Sequence, residues 1–184
     1  AASDVYKRQG EAFEGLDFAS ELKSNLIIVV NDNDMSIAEN HGGLYGNLKL
    51  LRETDGKAEC NFFKAMGLDY VYVGNGNDIG ALIDAFKSVK DAGKPVVVHI
   101  VTLKGKGYKP AEEDKETWHW HMPFDIKTGK PLMDFDGEDY SSVTAEYLLD
   151  KMKKDKSVVA ITSATPTVMG FTADKRHEAG SQFV

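Results

Sequence analysis

Apolar positions along this chain come as short unbroken runs separated by longer, spaced stripes. Leu26-Ile27-Ile28-Val29-Val30 is one such run, rich in β-branched residues, and reads as a strand buried on both faces. Pro95 to Thr102 is a second, and Tyr70–Val73 is a shorter one. Ala12, Phe13, Leu16, Ala19 and Leu22 recur at helical spacing and predict a helix from Gly10 to Leu22. Short helices are expected around Leu44–Arg52 and over Asn61–Met66, the latter stopped by Gly67. Asp78 to Ala92 carries the clearest stripe, Ile79, Leu82, Ile83, Phe86 and Val89, and Gly93 ends it. Ser141 to Lys153 repeats the pattern with Val143, Tyr147, Leu148 and Met152, and Val158–Thr162 reads as a strand opening a second domain.

Strand, helix, strand, helix, strand in succession implies βαβ units. The expected fold class is therefore α/β, an open, mainly parallel sheet flanked by helices, followed by the start of a second α/β domain. Lys109 to Phe135 has no core periodicity and holds both tryptophans, which suits a lid or a linker. Residues 1–9 show no periodicity and read as a foreign leader. A strand beginning at Gln182-Phe183-Val184 fits an internal piece of a longer chain.

With 184 residues the chain has room for one ordinary domain and part of another. Its 42% apolar and 28% charged content is that of a globular protein. A net charge of −7 speaks against nonspecific binding of nucleic acid. Cys60 is the only cysteine, so neither an internal disulfide framework nor a Cys-rich zinc site is available, and a reduced cytoplasmic setting fits. No apolar run approaches the roughly 18 residues of a membrane span.

Chemistry concentrates where strands end. Asn31-Asp32-Asn33-Asp34-Met35-Ser36-Ile37 follows the first strand, and ligands in open α/β sheets bind outside such carboxyl ends. Four oxygen-bearing side chains in a row suit a hard cation such as Mg²⁺. They equally suit a polar turn with Asx-type hydrogen bonds. Lys104-Gly105-Lys106-Gly107-Tyr108 follows another strand and offers close backbone approach and a point charge to phosphate, or else a solvated turn. Trp118-His119-Trp120-His121 offers a proton-transferring histidine on an aromatic anchor, a hydrophobic plug, or two zinc ligands lacking a third. His99, inside a buried run, reads as a hydrogen-bonded core histidine, and His41 lies within reach of the Asn33 loop in sequence.

Taken together, these segments resemble a family. Glu14-Gly15-Leu16, Asn31 to Ile37, Lys104 to Glu112 and Thr117-Trp118-His119, in this order, are similar to part of the 1-deoxy-D-xylulose-5-phosphate synthases, thiamine diphosphate enzymes related to transketolase. The resemblance runs from Gly10 to Val184. It implies that Asn33 and the backbone carbonyl of Met35 hold Mg²⁺ against the cofactor diphosphate. Ile37 would lie against the cofactor, Lys104 would reach its diphosphate, and His119 would contact the reacting species from a mobile segment spanning about residues 105–135. The implied reaction joins pyruvate, with loss of CO₂, to D-glyceraldehyde 3-phosphate in a homodimer. Residues 10–137 would then belong to the diphosphate-binding domain, and residues 138–184 to a linker helix and the start of the pyrimidine-binding domain.

Departures bear on what transfers. The Gly-Asp-Gly that supplies another Mg²⁺ ligand, the catalytic histidines upstream of it and the glutamate that activates the aminopyrimidine are not in these residues. The 184 residues alone are therefore expected to be inactive. Asp17 and Asn77 stand where the family usually has asparagine and histidine, and the Asn33-to-Lys104 segment is short, as in a compact subgroup. Another transketolase-type enzyme, or an α/β binding module that has lost the cofactor, remain alternatives.

Overall fold

The computed structural model describes residues 10–36, 40–133, 137–162 and 165–184. They form two compact units that divide between His119 and Trp120.

The first unit is built on three parallel strands, β1 (Ile27–Asp32), β2 (Asp69–Val73) and β3 (Val96–Val101), in the order β1-β3-β2. Register runs from Ile27 opposite Val96 to Asp32 opposite Val101 on one side of β3, and from Asp69 opposite Val96 to Val73 opposite Ile100 on the other. The central strand is the strand with no polar face: Val96, Val97, Val98 and His99 are all buried. Because successive side chains of a strand point to opposite faces, Val97 joins one core with Val30, Leu48, Leu51 and Phe63, while Val96 and Val98 join another with Val73, Ala85 and Val89. Helices α1 (Gly10–Ser20), α2 (Gly43–Glu53) and α3 (Phe62–Ala65) contribute to the first core, and α4 (Ile79–Val89) to the second. The result is the expected α/β sheet with helices on both faces.

Local signals set the helix ends. Asn61 Oδ1 accepts from the amides of Phe63 (3.0 Å) and Lys64 (3.2 Å) at the start of α3. Asp78 accepts from Ala81 N at 2.7 Å and caps α4. The expectation that β1 is buried on both faces is corrected: β1 is an edge strand of this sheet, and Val29 is 42% exposed. Edge position leaves one face with less cover, so β-branched composition marked the strand without fixing its place. Part of the expected irregular connection is ordered, as helix α5 (Lys109–Glu113) and a 3₁₀ turn at Thr117–His119.

In the second unit, α6 (Tyr140–Lys154) opens with a capping box between Asp139 and Ser142. It packs through Ala145, Leu149 and Met152 with Phe171 and with Ala179 of α7 (Ala173–Ala179). The strand expected over Val158–Thr162 is corrected to one parallel bridge, Ala160 with Phe183. Its partner among the described residues is only the short Gln182–Val184 tail, which bonds Ala160 N at 2.8 Å and Ala160 O at 2.9 Å. A strand needs bonded pairs repeated along a ladder, and Ala160 with Phe183 is a single pair. No described helix is long and apolar enough to cross a membrane.

Candidate functional site

Parallel pairing places the loops leaving β1 and β3 side by side. Asp32 stands opposite Val101, and Thr102 N donates to the Asp32 carbonyl at 2.9 Å. Thr102 Oγ1 donates to Asn31 Oδ1 at 2.7 Å. Beyond it, Lys104 Nζ donates to the Ser36 carbonyl at 2.6 Å, so the lysine ammonium lies against the Asn33 loop. The loop after β2 joins the same edge. Gly76 N donates to Val101 O at 2.8 Å, and Asn77 Oδ1 accepts from Leu103 N at 2.7 Å. A Cβ on Gly76 would sit 2.6 Å from that Val101 oxygen, so only glycine allows this approach. All three strands therefore deliver their following loops to one stitched edge.

The side chains of the polar run Asn31–Asp34, whose first two residues close β1, go to separate partners, with Asx-type bonds from Asp34 N to Asp32 Oδ1 and from Met35 N to Asn33 Oδ1. Asn31 is tied to Thr102. Asp32 turns into the sheet, Asn33 Oδ1 accepts from Met35 N at 3.1 Å, and Asp34 pairs with Arg52. Strand alternation is the cause, because Asp32 shares the inward face with Val30. The neutral oxygens of this loop are Asn33 Oδ1, which keeps a second lone pair beside its bond from Met35 N, and the main-chain carbonyls.

Beneath the loop lies a buried polar chain. His99, with no exposed surface, meets Tyr70 Oη through Nδ1 at 2.7 Å and Asp32 Oδ2 through Nε2 at 3.0 Å. Arg52, near the end of α2, donates to the same Asp32 oxygen at 2.6 Å, and Asp34 N donates to Asp32 Oδ1 at 3.1 Å. Burial pushes the Asp32 carboxyl up. Hydrogen bonds from His99, Arg52 and the Asp34 amide, with the Arg52 charge, outweigh it and hold the group at about 2. Burial, with the charges of Tyr72 and Asp32, pushes the Tyr70 phenol well above its usual range. His99 is the hydrogen-bonded core histidine expected from its apolar run. Tyr70 and Arg52 were not singled out from the sequence. Tyr70 sits in a run read as apolar, and Arg52 on a helix whose partner surface periodicity does not reveal.

His119 ends the 3₁₀ turn in the first unit and is exposed. The preceding Trp118 packs edge-on against Tyr108, with ring centroids 5.0 Å apart, which anchors the His119 turn to the loop that carries Lys104. Trp120 is 72% exposed. His121 donates from Nδ1 to the Met122 carbonyl at 2.8 Å within the second unit. No three His, Cys, Asp or Glu side chains among the described residues are grouped to hold a metal. His41 is exposed just ahead of α2. Ile37 lies outside the described residues.

The donor set at the strand edge fits magnesium diphosphate. Neutral hard oxygens suit Mg²⁺, which takes further ligands from phosphate, and a neighbouring lysine suits the same phosphate as a point charge. A family model described as 1-deoxy-D-xylulose-5-phosphate synthase matches residues 3–61 and 53–102, beginning inside the segment read as a leader. The chain is 35% identical over 207 residues to the 1-deoxy-D-xylulose-5-phosphate synthase of Lachnoclostridium phytofermentans, covering 89% of this chain and 32% of that protein. It is 39% identical over 167 residues to that of Listeria monocytogenes, covering 85% and 27%. To that of Myxococcus xanthus it is 39% identical over 157 residues, covering 84% and 26%. It therefore spans about a third or less of the length of these relatives.

Proposed function

We propose, from the premise that this chain belongs to the 1-deoxy-D-xylulose-5-phosphate synthase family, that it is the part of such an enzyme that grips magnesium and the diphosphate of thiamine diphosphate. The observation that carries this reading is the approach of Lys104 Nζ to the Ser36 carbonyl at 2.6 Å, beside Asn33 and Met35. Asn33 Oδ1 and the Met35 carbonyl hold Mg²⁺, and Lys104 neutralises diphosphate charge. By the family resemblance Ile37, outside the described residues, would lie against the cofactor, and His119, anchored through Trp118, would serve as an acid–base or hydrogen-bonding group toward the reacting species.

When bound, thiamine diphosphate supplies the nucleophilic carbon and the electron sink for losing CO₂ from an α-keto acid. The residues described here orient and charge-balance that group from the sheet edge. The complete enzyme works as a cytoplasmic homodimer, taking pyruvate and D-glyceraldehyde 3-phosphate to 1-deoxy-D-xylulose 5-phosphate for isoprenoid, thiamine and pyridoxal precursors. Residues 10–137 form part of its diphosphate-binding domain, with a lid at about 105–135, and residues 138–184 lead into the pyrimidine-binding domain.

The test is an assay of the full-length protein with Mg²⁺ and thiamine diphosphate. Pyruvate with D-glyceraldehyde 3-phosphate should give 1-deoxy-D-xylulose 5-phosphate. Turnover of a ketose phosphate donor in place of pyruvate would assign a transketolase instead.

A further inference from the structure

Asn33 is flanked by two carboxylates that go to the same cation. Arg52 NH1 donates to Asp32 Oδ2 at 2.6 Å, and Arg52 NH2 pairs with Asp34 Oδ1. The Arg52 side chain is only 15% exposed, and the Asp32 side chain 3%. Asp32 is fixed in turn by His99 in the central strand and by the amide of Asp34. Asp34 itself adopts φ 62°, the left-handed region that non-glycine residues enter only at a cost of about 1 kcal/mol. This turn sets Asn33 Oδ1 over the amide of Met35.

A loop that carries metal ligands, turns through a disfavoured backbone angle and leaves an edge strand has no intrinsic reason to hold one shape. The guanidinium fork supplies one. It spans the residues on both sides of Asn33 and ties them to a helix and to the sheet centre. A lysine there would present one point charge and no fork.

We propose that Arg52 is a positioning residue for the Asn33–Met35 loop, stapling Asp32 to Asp34 so that the Mg²⁺-holding oxygens are arranged before cofactor arrives. The staple rests on the reading that Asn33 and Met35 hold Mg²⁺, but its effect on the loop does not. Outer partners of metal ligands typically contribute about 10–100-fold to metal affinity, because they remove the ordering cost from the binding step.

The experiment uses full-length protein and four variants: Arg52→Gln, Arg52→Lys, Asp34→Gly and Asp34→Ala. Two readouts are taken, Mg²⁺-dependent thiamine diphosphate affinity and amide hydrogen exchange at residues 33–36 of the ligand-free protein. Arg52→Gln should speed exchange in the loop and weaken cofactor binding by about 10–100-fold, and Arg52→Lys should not restore either. Asp34→Gly removes one arm of the staple at a side chain that is 65% exposed, keeps the Asp32–Arg52 pair and admits the positive φ, so it guards against a variant that fails to fold. It should still loosen the loop and weaken binding.

Asp34→Gly matching the parent in both readouts, with Asp34→Ala alone defective, would show that the backbone angle matters and the staple does not. Arg52→Gln folding normally with unchanged loop exchange would also overturn the proposal. If the parent itself binds no cofactor, the functional reading fails. Loop exchange then decides the staple by itself: faster in both Arg52→Gln and Asp34→Gly supports it, and unchanged in either overturns it.

Discussion

Asp32→Asn isolates the electrostatics under the site, because the two side chains have nearly the same shape. In the fold this carboxyl stands at about 2 rather than 3.8; burial raises it, and the bonds from His99, Arg52 and the Asp34 amide, with the Arg52 charge, more than reverse that. A carboxyl depressed in the folded state stabilises the fold above its unfolded value and loses that contribution as pH falls through its folded value. At about 1.4 kcal/mol per unit the shift amounts to about 2 kcal/mol, held at neutral pH and lost between about pH 4 and pH 2. Asparagine also turns one accepting oxygen into a donor facing the His99, Arg52 or Asp34 donors. Removing one member of a buried pair costs about 3–5 kcal/mol. The lower end applies here, since Arg52 keeps 15% exposure and some access to water. Urea unfolding followed by circular dichroism, at a series of pH values from neutral to acid, measures both effects. The variant should be less stable by about 3 kcal/mol at neutral pH, and the gap should shrink by about 2 kcal/mol toward pH 2. A gap below about 1 kcal/mol, or one constant with pH, would refute the account of Asp32 as a charged group held by its neighbours.

Other substitutions probe neighbouring links. Tyr70→Phe removes the hydroxyl that meets His99 Nδ1 at 2.7 Å and should cost about 1–3 kcal/mol in urea unfolding, from the buried nitrogen left behind. In the parent, raised Tyr70 and Tyr72 phenols stabilise the fold below about pH 10 and withdraw that support above it, so alkaline absorbance titration should show late-ionising tyrosines that Tyr70→Phe depletes. Gly105→Ala forces a Cβ to 2.5 Å from the Ala111 carbonyl at a backbone φ of 81°. It should lower Tm by the equivalent of more than about 1 kcal/mol and weaken binding that depends on Lys104. Asp78→Ala deletes the cap on α4 and should cost about 1 kcal/mol in urea unfolding, with cofactor binding unchanged.

Much of this architecture is legible in periodicity. The helix stripe from Ile79 to Val89 appears as α4 with Asp78 as its cap, and the valine run of β3 is the central strand. Placement within the sheet is less legible, because β1 and β3 have similar composition yet one is an edge and the other the centre. The short run at Val158–Thr162 shows the complementary limit, since its apolar, β-branched composition is accompanied among the described residues by a single bridge, Ala160 with Phe183. At the site, the approach of Lys104 to the Asn33 loop follows from two parallel strands ending in register, which the order of elements foreshadows. The pairing of Arg52 with Asp32 and Asp34 depends on where one helix end falls over a loop, a tertiary fact without sequence period. Asp32 carried a readable signal that the polar run obscured: counted in twos from Val30, it points inward.

Calorimetric titration of the full-length protein with thiamine diphosphate, with and without Mg²⁺, in the parent and in Asn33→Ala, tests the central claim most directly. The parent should bind when Mg²⁺ is present and lose binding without it, and Asn33→Ala should abolish the Mg²⁺-dependent heat while retaining the parent's circular dichroism spectrum. A parent that binds no cofactor, or an Asn33→Ala variant that binds as tightly as the parent, would contradict the assignment of this loop.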